Sequence, residues 1–203
     1  MNLFVVGANG RTGTHCVDLG LARGHRVTAF VRDPRRVTRT HERLTVVAGD
    51  PFDTHALAAA LPRHDAVLSA LGPRSSLFAP STVVRDGAAA LVAAMTRVEV
   101  QRLLFVSAAT LFDLPFPQNI AKWILRNFAA DSAQAETVIR ASSLAWTCAR
   151  PPRLVPGAAE AYRCAVDAMP PRAWSMTFRA VAAFLVDAAE KDAYVRRIVG
   201  LGS

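Results

Sequence analysis

Nine residues near the start of the chain, Val5-Val6-Gly7-Ala8-Asn9-Gly10-Arg11-Thr12-Gly13, constrain its fold more than any other stretch. They follow a short apolar run, Leu3–Val6, and open a helical pattern over Thr12–Arg23. A glycine triplet alone is a weak signal. Between a strand and a helix it reads as the turn of a βα unit that binds the pyrophosphate of a dinucleotide. Gly7 allows the tight turn, Gly10 lets the backbone approach the phosphates, and Gly13 lets the helix lie close to the sheet. The helix start then offers free N–H groups and the positive end of its dipole to an anion.

The rest of the chain repeats the alternation. Strand candidates are Leu3–Val6, Arg26–Val31, Leu44–Val47, Ala66–Ala70, Leu103–Ser107 and Ala145–Ala149, with a weaker one at Val195–Val199. Most are almost wholly apolar, as strands covered by helices on both faces must be. Helix candidates are Thr12–Arg23, Thr54–Leu61, Ser81–Arg97, Ile120–Ser142 with a break, and Thr177–Glu190. Asp53 and Ser81 are expected caps, and Gly20 and Gly24 are expected to end the first helix. The expectation is an α/β fold. One Rossmann-type domain spans residues 1–203, a doubly wound parallel sheet with helices on both faces. Ligand belongs at the carboxyl ends of its strands.

Composition narrows the function classes. No apolar run approaches the ~18 residues that span a bilayer, and the start MNLFVVGANG lacks a basic leader region, so a cytoplasmic protein without membrane association is expected. Cys16, Cys148 and Cys164 are widely spaced and offer no metal-ligand pattern; no metal site is expected, and the first two read as small core residues. A net charge of +8 raises nucleic acid as a partner. Yet 22 of the 24 basic residues are arginine, scattered except for a cluster at Arg32–Arg39. A dinucleotide phosphate explains that cluster more economically, so nucleic acid is not expected.

The cluster ends the second strand candidate, where this fold meets the adenosine ribose. An acid there favours a free 2′-hydroxyl and an arginine a 2′-phosphate. Arg32 holds the contact position, with Arg11, Arg35 and Arg36 near it; Asp33 is the competing acid. NADP(H) is favoured over NAD(H). After the third strand, Asp50 is a candidate acceptor for the adenine amino group, or a turn residue. Ala70, Leu71 and Gly72 end the fourth strand with little bulk, so the backbone can lie against the cofactor. Ser107 ends the fifth strand, placed to orient a substrate carbonyl or the nicotinamide carboxamide, or to bond to backbone. Asn9 and Thr12 complete the candidate phosphate loop.

These motifs together resemble the atypical short-chain dehydrogenase/reductase superfamily, in the compact NAD(P)H-binding branch that includes biliverdin-IXβ reductase/flavin reductase and NmrA-like proteins. The landmarks are GANGRTG (7–13), VTAFVRDPRRV (27–37), VVAGD (46–50), AVLSALG (66–72), LLFVSA (103–108) and AETVIRASSLAWTCARPPRL (135–154). The resemblance implies a reductase acting on flavins, quinones or related compounds. It assigns Gly7, Gly10, Thr12 and Gly13 to the pyrophosphate and Arg32 and Arg36 to the 2′-phosphate. Asp50 goes to adenine and Ser107 to the active site, and Pro151 borders the nicotinamide. Glu136 stands near the place of a substrate-side histidine of the flavin reductase.

One departure matters. Classical members carry a Tyr-x-x-x-Lys pair. Tyr162 and Tyr194 are the chain's tyrosines, and neither precedes a lysine at that spacing; Gln118 and Lys122 keep the spacing without the phenol. Ordinary alcohol dehydrogenation is therefore not expected. A conjugated acceptor can take its proton from solvent, so the expected partner is a small planar or conjugated substrate. Candidate cleft residues are Ser107, Phe112, Phe116, Trp123, Pro151 and Arg153. The alternative is a non-catalytic NADP(H)-sensing, NmrA-like protein. A sugar-nucleotide epimerase is disfavoured because the roughly 50 residues after Arg153 leave little for a substrate domain. The oligomeric state is expected to be monomeric or a small homo-oligomer.

Overall fold

The computed structural model describes residues 1–72, 78–113 and 119–203. In chain order its elements are β1 (Asn2–Val6), α1 (Arg11–Ala22), β2 (Arg26–Val31), β3 (Leu44–Ala48), α2 (Thr54–Ala60), β4 (Ala66–Ser69), α3 (Val83–Arg97) and β5 (Arg102–Val106). They continue with α4 (Asn119–Ile124), α5 (Arg126–Ala141), β6 (Ala145–Arg150), β7 (Arg153–Val155), β8 (Arg163–Val166), β9 (Ser175–Thr177), α6 (Phe178–Glu190) and β10 (Arg197–Gly202).

The main sheet has eight strands in the order β3-β2-β1-β4-β5-β6-β10-β8. Chain order reverses outward from β1 and β4, which pair in parallel. That reversal is the switch point where an open α/β sheet leaves a crevice. Helices cover both faces. Leu3, Val5 and Leu104 bury against α1 and α6 on one side. Phe4, Val67, Leu103 and Phe105 bury against α2, α3 and α5 on the other. The apolar strand sequences thus reflect two-sided burial.

Several sequence expectations need correction. Gly20 does not end α1; it lies buried inside it. A Cβ there would stand 2.9 Å from Val27 Cγ2 and 3.3 Å from Leu3 Cδ1, so the residue serves helix-on-sheet contact. Gly24, at φ +86°, is the residue that terminates the helix. The sheet is not wholly parallel: β8 runs antiparallel to β10, and β7 pairs with β9 in a separate parallel ribbon. The helix at 120–142 breaks as expected, between Ile124 and Arg126.

Caps follow local chemistry at one helix and tertiary chemistry at another. Asp53 Oδ1 accepts from His55 N and Ala56 N at 2.8 and 3.1 Å, capping α2 as expected. At α3 the N-cap is Thr82, which makes no side-chain cap bond. Ser81 Oγ accepts from Val83 N. The next two amides, Val84 and Arg85, donate instead to the carboxylate of Asp131 on α5, at 3.2 and 2.9 Å.

A buried arginine ties the far end of the sheet together. Arg102, at the start of β5, donates to Ala145 O, Thr147 Oγ1, Ala188 O and Ala193 O at 2.6–3.2 Å. Asp192 Oδ1 lies 3.1 Å from its Nε without hydrogen-bond geometry. Burial pulls its guanidinium below the usual arginine range. Arg102→Met removes a donor from each of these acceptors and is expected to lower stability by about 3 kcal/mol, read from the urea midpoint.

Candidate functional site

The turn after β1 is built from backbone alone. Gly7 adopts φ +79°, and a Cβ there would lie 2.8 Å from Ala70 O. Ala70 N in turn donates to Val6 O, so the chain leaving β4 lies directly against the turn. At Gly13 a Cβ would fall 2.1 Å from Gly7 O, inside any allowed contact. Gly10 N donates to Gly7 O at 2.8 Å, and Gly10 caps α1 without a side-chain bond. The amides of Arg11, Thr12 and Gly13 consequently find no acceptor among the described residues. Exposed helix-start amides with no internal partner form an anion site. The small-residue cradle and the orphan donors fit a pyrophosphate.

The turn is linked to the end of β2. Asn9 Nδ2 donates to Asp33 O at 3.1 Å. Asp33 caps the 3-10 turn Pro34–Arg36, and its carboxylate also takes Nε of Arg35 at 2.8 Å. The Arg35 bonds hold that carboxyl below the usual carboxylate range. Arg35, expected beside the ribose phosphate, is thus committed to Asp33. Arg39 is committed to Asp18. Arg32 and Arg36 make no side-chain hydrogen bond or ion pair among the described residues. Arg36 and Arg39 line a cleft of about 50 Å³ with Ala8 and Asn9. Arg11 is drawn toward the α6 side, its guanidinium 4.5 Å from the centroid of the Phe178 ring.

Asp50 ends β3 in a turn, its Oδ1 accepting from Phe52 N at 3.1 Å, so the turn role weighed from sequence is present. Leu71 fills the space beside Gly87, and a Cβ at Gly72 would meet nothing within 4 Å among the described residues. Ser107 and Pro151 meet at the carboxyl edge of β5 and β6. Ser107 N donates to Ala149 O, and Ala109 N to Pro151 O.

The same edge holds a polar group that sequence reading missed. Ser107 Oγ donates to Glu136 Oε1 at 2.5 Å. Arg150 grips the same carboxylate with Nε at 2.9 Å and a terminal nitrogen at 2.6 Å. Phe112 lies across the guanidinium, 4.5 Å from ring centroid to Cζ. Ser107, Glu136 and Arg150 are all buried. Glu136 is therefore an internal partner and not a substrate-side contact. Around them the hydroxyls of Ser69, Thr110 and Ser132 are buried without a partner among the described residues. Buried hydroxyls are ordinarily paired, so three orphans mark a place where water or ligand belongs.

Other candidates lie apart. Trp123 is 70% exposed, with Arg126 over its ring, and Arg153 is exposed. Phe116 and Gln118 fall outside the described residues. Tyr162 Oη donates to Asp187 at 2.6 Å and Tyr194 contacts Cys164; both rings pack against Phe184 of α6, that of Tyr162 edge-on. Burial, with Asp187 beside it, pushes the Tyr162 phenol up. Burial likewise pushes the Cys16 thiol up to about 12 and raises that of Cys148, so both are core residues. Among the described residues no cluster of His, Cys, Asp and Glu could hold a metal, and no helix is long and apolar enough to cross a membrane.

Comparison with known proteins agrees with this geometry. A short-chain dehydrogenase/reductase of Veillonella parvula, solved in complex with NADP, superposes with a TM-score of 0.81 at 21% identity, covering 100% of this chain and 94% of that one. ChuY, an anaerobillin reductase of Escherichia coli O157:H7, gives 0.78 at 19% identity, covering 99% and 96%. An exported-protein candidate of Burkholderia pseudomallei gives 0.81 at 24% identity over the full length of both chains. These likenesses establish a Rossmann-type α/β fold. A family model described as NAD(P)H-binding matches residues 7–192. The glycine turn, the orphan amides of α1 and this match agree: the chain belongs to the NAD(P)H-binding family.

Proposed function

We propose that the protein is an NADP(H)-dependent reductase that delivers hydride to a flavin, quinone or similar conjugated acceptor. The observation that carries the NADP(H) choice is the pairing at the end of β2. Asp33, the acid that would favour a free ribose hydroxyl, is paired with Arg35, while Arg32 and Arg36 make no side-chain hydrogen bond or ion pair among the described residues. A guanidinium fork suits a phosphate. The NADP complex of the Veillonella neighbour supports the same choice.

In this reading Gly7, Asn9, Gly10, Arg11, Thr12 and Gly13 hold the pyrophosphate, and Arg32 and Arg36 the 2′-phosphate. Asp50 receives the adenine. Ala70, Leu71, Gly72, Ser107 and Pro151 border the nicotinamide end. Bound NADPH supplies the hydride; the chain supplies binding and orientation. A conjugated acceptor draws its proton from solvent, which suits a site whose two tyrosines are both engaged elsewhere. The anaerobillin named for ChuY supports a large conjugated substrate. Residues 1–203 act as one domain, in the cytoplasm, as a monomer or small homo-oligomer, without nucleic acid.

The test is a titration with NADPH and NADH. Arg32→Ala and Arg36→Ala are each expected to weaken NADPH about tenfold, the effect of one charge-assisted contact, and to leave NADH unchanged. Equal losses for both cofactors would remove the phosphate reading. A second reading, a non-catalytic NADP(H) sensor, is favoured by the lack of a tyrosine at the site. Tight NADPH binding without oxidation by FMN, quinones or dyes would select it.

A further inference from the structure

We infer that the Glu136–Arg150 pair fixes the Ser107 hydroxyl as a hydrogen-bond acceptor, so that the site takes an N–H group at this point and turns away a bare carbonyl. The inference rests on the reading that the carboxyl edge of β4–β6 receives the reacting ends of cofactor and acceptor.

A serine hydroxyl has one hydrogen to give and two lone pairs to receive. Here the hydrogen is spent: Ser107 Oγ donates it to Glu136 Oε1 at 2.5 Å. A carboxylate only accepts, so the direction of that bond cannot reverse. Nor can the carboxylate turn away. Arg150 holds both of its oxygens, at 2.9 Å from Nε and 2.6 Å from a terminal nitrogen, and Phe112 closes the far side of the guanidinium. What Ser107 can still offer is a lone pair. A carbonyl brought against it would face oxygen to oxygen, with no hydrogen between them.

A ligand belongs here on independent grounds. Ser69 ends β4 beside Phe105 of β5 in register, Thr110 follows β5, and Ser132 stands one turn before Glu136 on α5. All three hydroxyls are at least nine-tenths buried and unpartnered among the described residues. The N–H that Ser107 receives has two sources in this reading: the carboxamide of the nicotinamide, or a ring N–H of the acceptor heterocycle. Glu136 is then a positioning residue, acting on ligands only through the polarity that it imposes on Ser107.

Removing the pair in a Glu136→Ala, Arg150→Met double variant takes away the acceptor of the Ser107 hydrogen, since that hydrogen goes to Glu136 Oε1. The serine hydrogen is then released toward the site.

The experiment measures binding by fluorescence, so it does not depend on turnover. One arm compares NADP+ with its 3-acetylpyridine analogue, in which a methyl ketone replaces the carboxamide. The other compares lumiflavin with 3-methyllumiflavin, which lacks the ring N–H. The wild type is expected to prefer the N–H partner about tenfold in one of the arms, the worth of one hydrogen bond. The arm that responds identifies the source. The Glu136→Ala, Arg150→Met double variant is expected to cancel or reverse the preference. Ser107→Ala, which leaves the ion pair in place, is expected to cancel it without reversal. A merely structural role for Glu136 would weaken both members of each pair alike. No preference in either arm, or a preference that survives either substitution, overturns the inference. Failure of the wild type to bind NADP+ while lumiflavin is still preferred would instead overturn the cofactor reading and leave the polarity of Ser107 standing.

Discussion

Gly13→Ala is expected to abolish useful NADPH binding, lowering affinity at least ~100-fold, which corresponds to about 3 kcal/mol. The added carbon would sit 2.1 Å from Gly7 O and 2.7 Å from Gly7 C. Both are backbone atoms, so no side chain can swing aside. Either α1 withdraws from the sheet or the turn opens, and in each case the orphan amides of Arg11, Thr12 and Gly13 lose their common aim. Alanine is otherwise the better helix former, so propensity alone would predict stabilisation. The substitution therefore sets close approach directly against propensity. Gly72→Ala provides the contrast, because no described atom lies within 4 Å of the place its Cβ would take; it is expected to leave the fold unchanged. Fluorescence titration, with circular dichroism to confirm folding, reads both variants. Wild-type affinity in Gly13→Ala would mean that phosphates do not bind at this turn.

Glu136→Ala should be the most damaging single change at the carboxyl edge. It removes the acceptor that the buried Arg150 guanidinium has among the described residues and leaves that charge desolvated without its ion-pair partner. Breaking a buried pair from one side costs about 3–5 kcal/mol. For a chain of this size that is a fall in melting temperature of roughly 10 °C. Glu136→Gln keeps an oxygen for Arg150 and is expected to lose much less. Glu136→Ala combined with Arg150→Met removes both charges and should recover most of the loss, since an apolar pair often equals a buried ion pair in stability. A single variant melting within about 2 °C of wild type would show that the pair carries little stability.

What could be read from sequence was what sequence encodes locally. The turn at Gly7, Gly10 and Gly13 was legible because its geometry excludes side chains at fixed positions. Asp53 was legible because its partners, His55 and Ala56, follow within three residues. The parallel strands showed as apolar runs because both faces are covered. Gly20 misled because a helix tolerates glycine where a sheet presses close, and nothing local distinguishes that from a helix end. The strands β7 and β9 are three residues long and hold too little pattern to detect. Ser107 could be placed at a strand end, but its partners could not. Glu136 lies 29 residues away on another element, and Arg150 grips it across a further 14. Such a group exists only once α5 has docked on the sheet. Arg35 carried the same ambiguity: its sequence neighbours fit a phosphate and an internal ion pair equally well.

The cap of α3 has a consequence for how this chain reaches its fold. The first turn of that helix is closed by Asp131, a side chain 46 and 47 positions downstream of the amides it receives. Until α5 is in place those donors have only water. The beginning of α3 is accordingly a late structure. In a nascent or partly opened molecule, the entry to α3 loosens when α5 departs. One carboxylate thus makes two helices that are far apart in sequence a single cooperative unit.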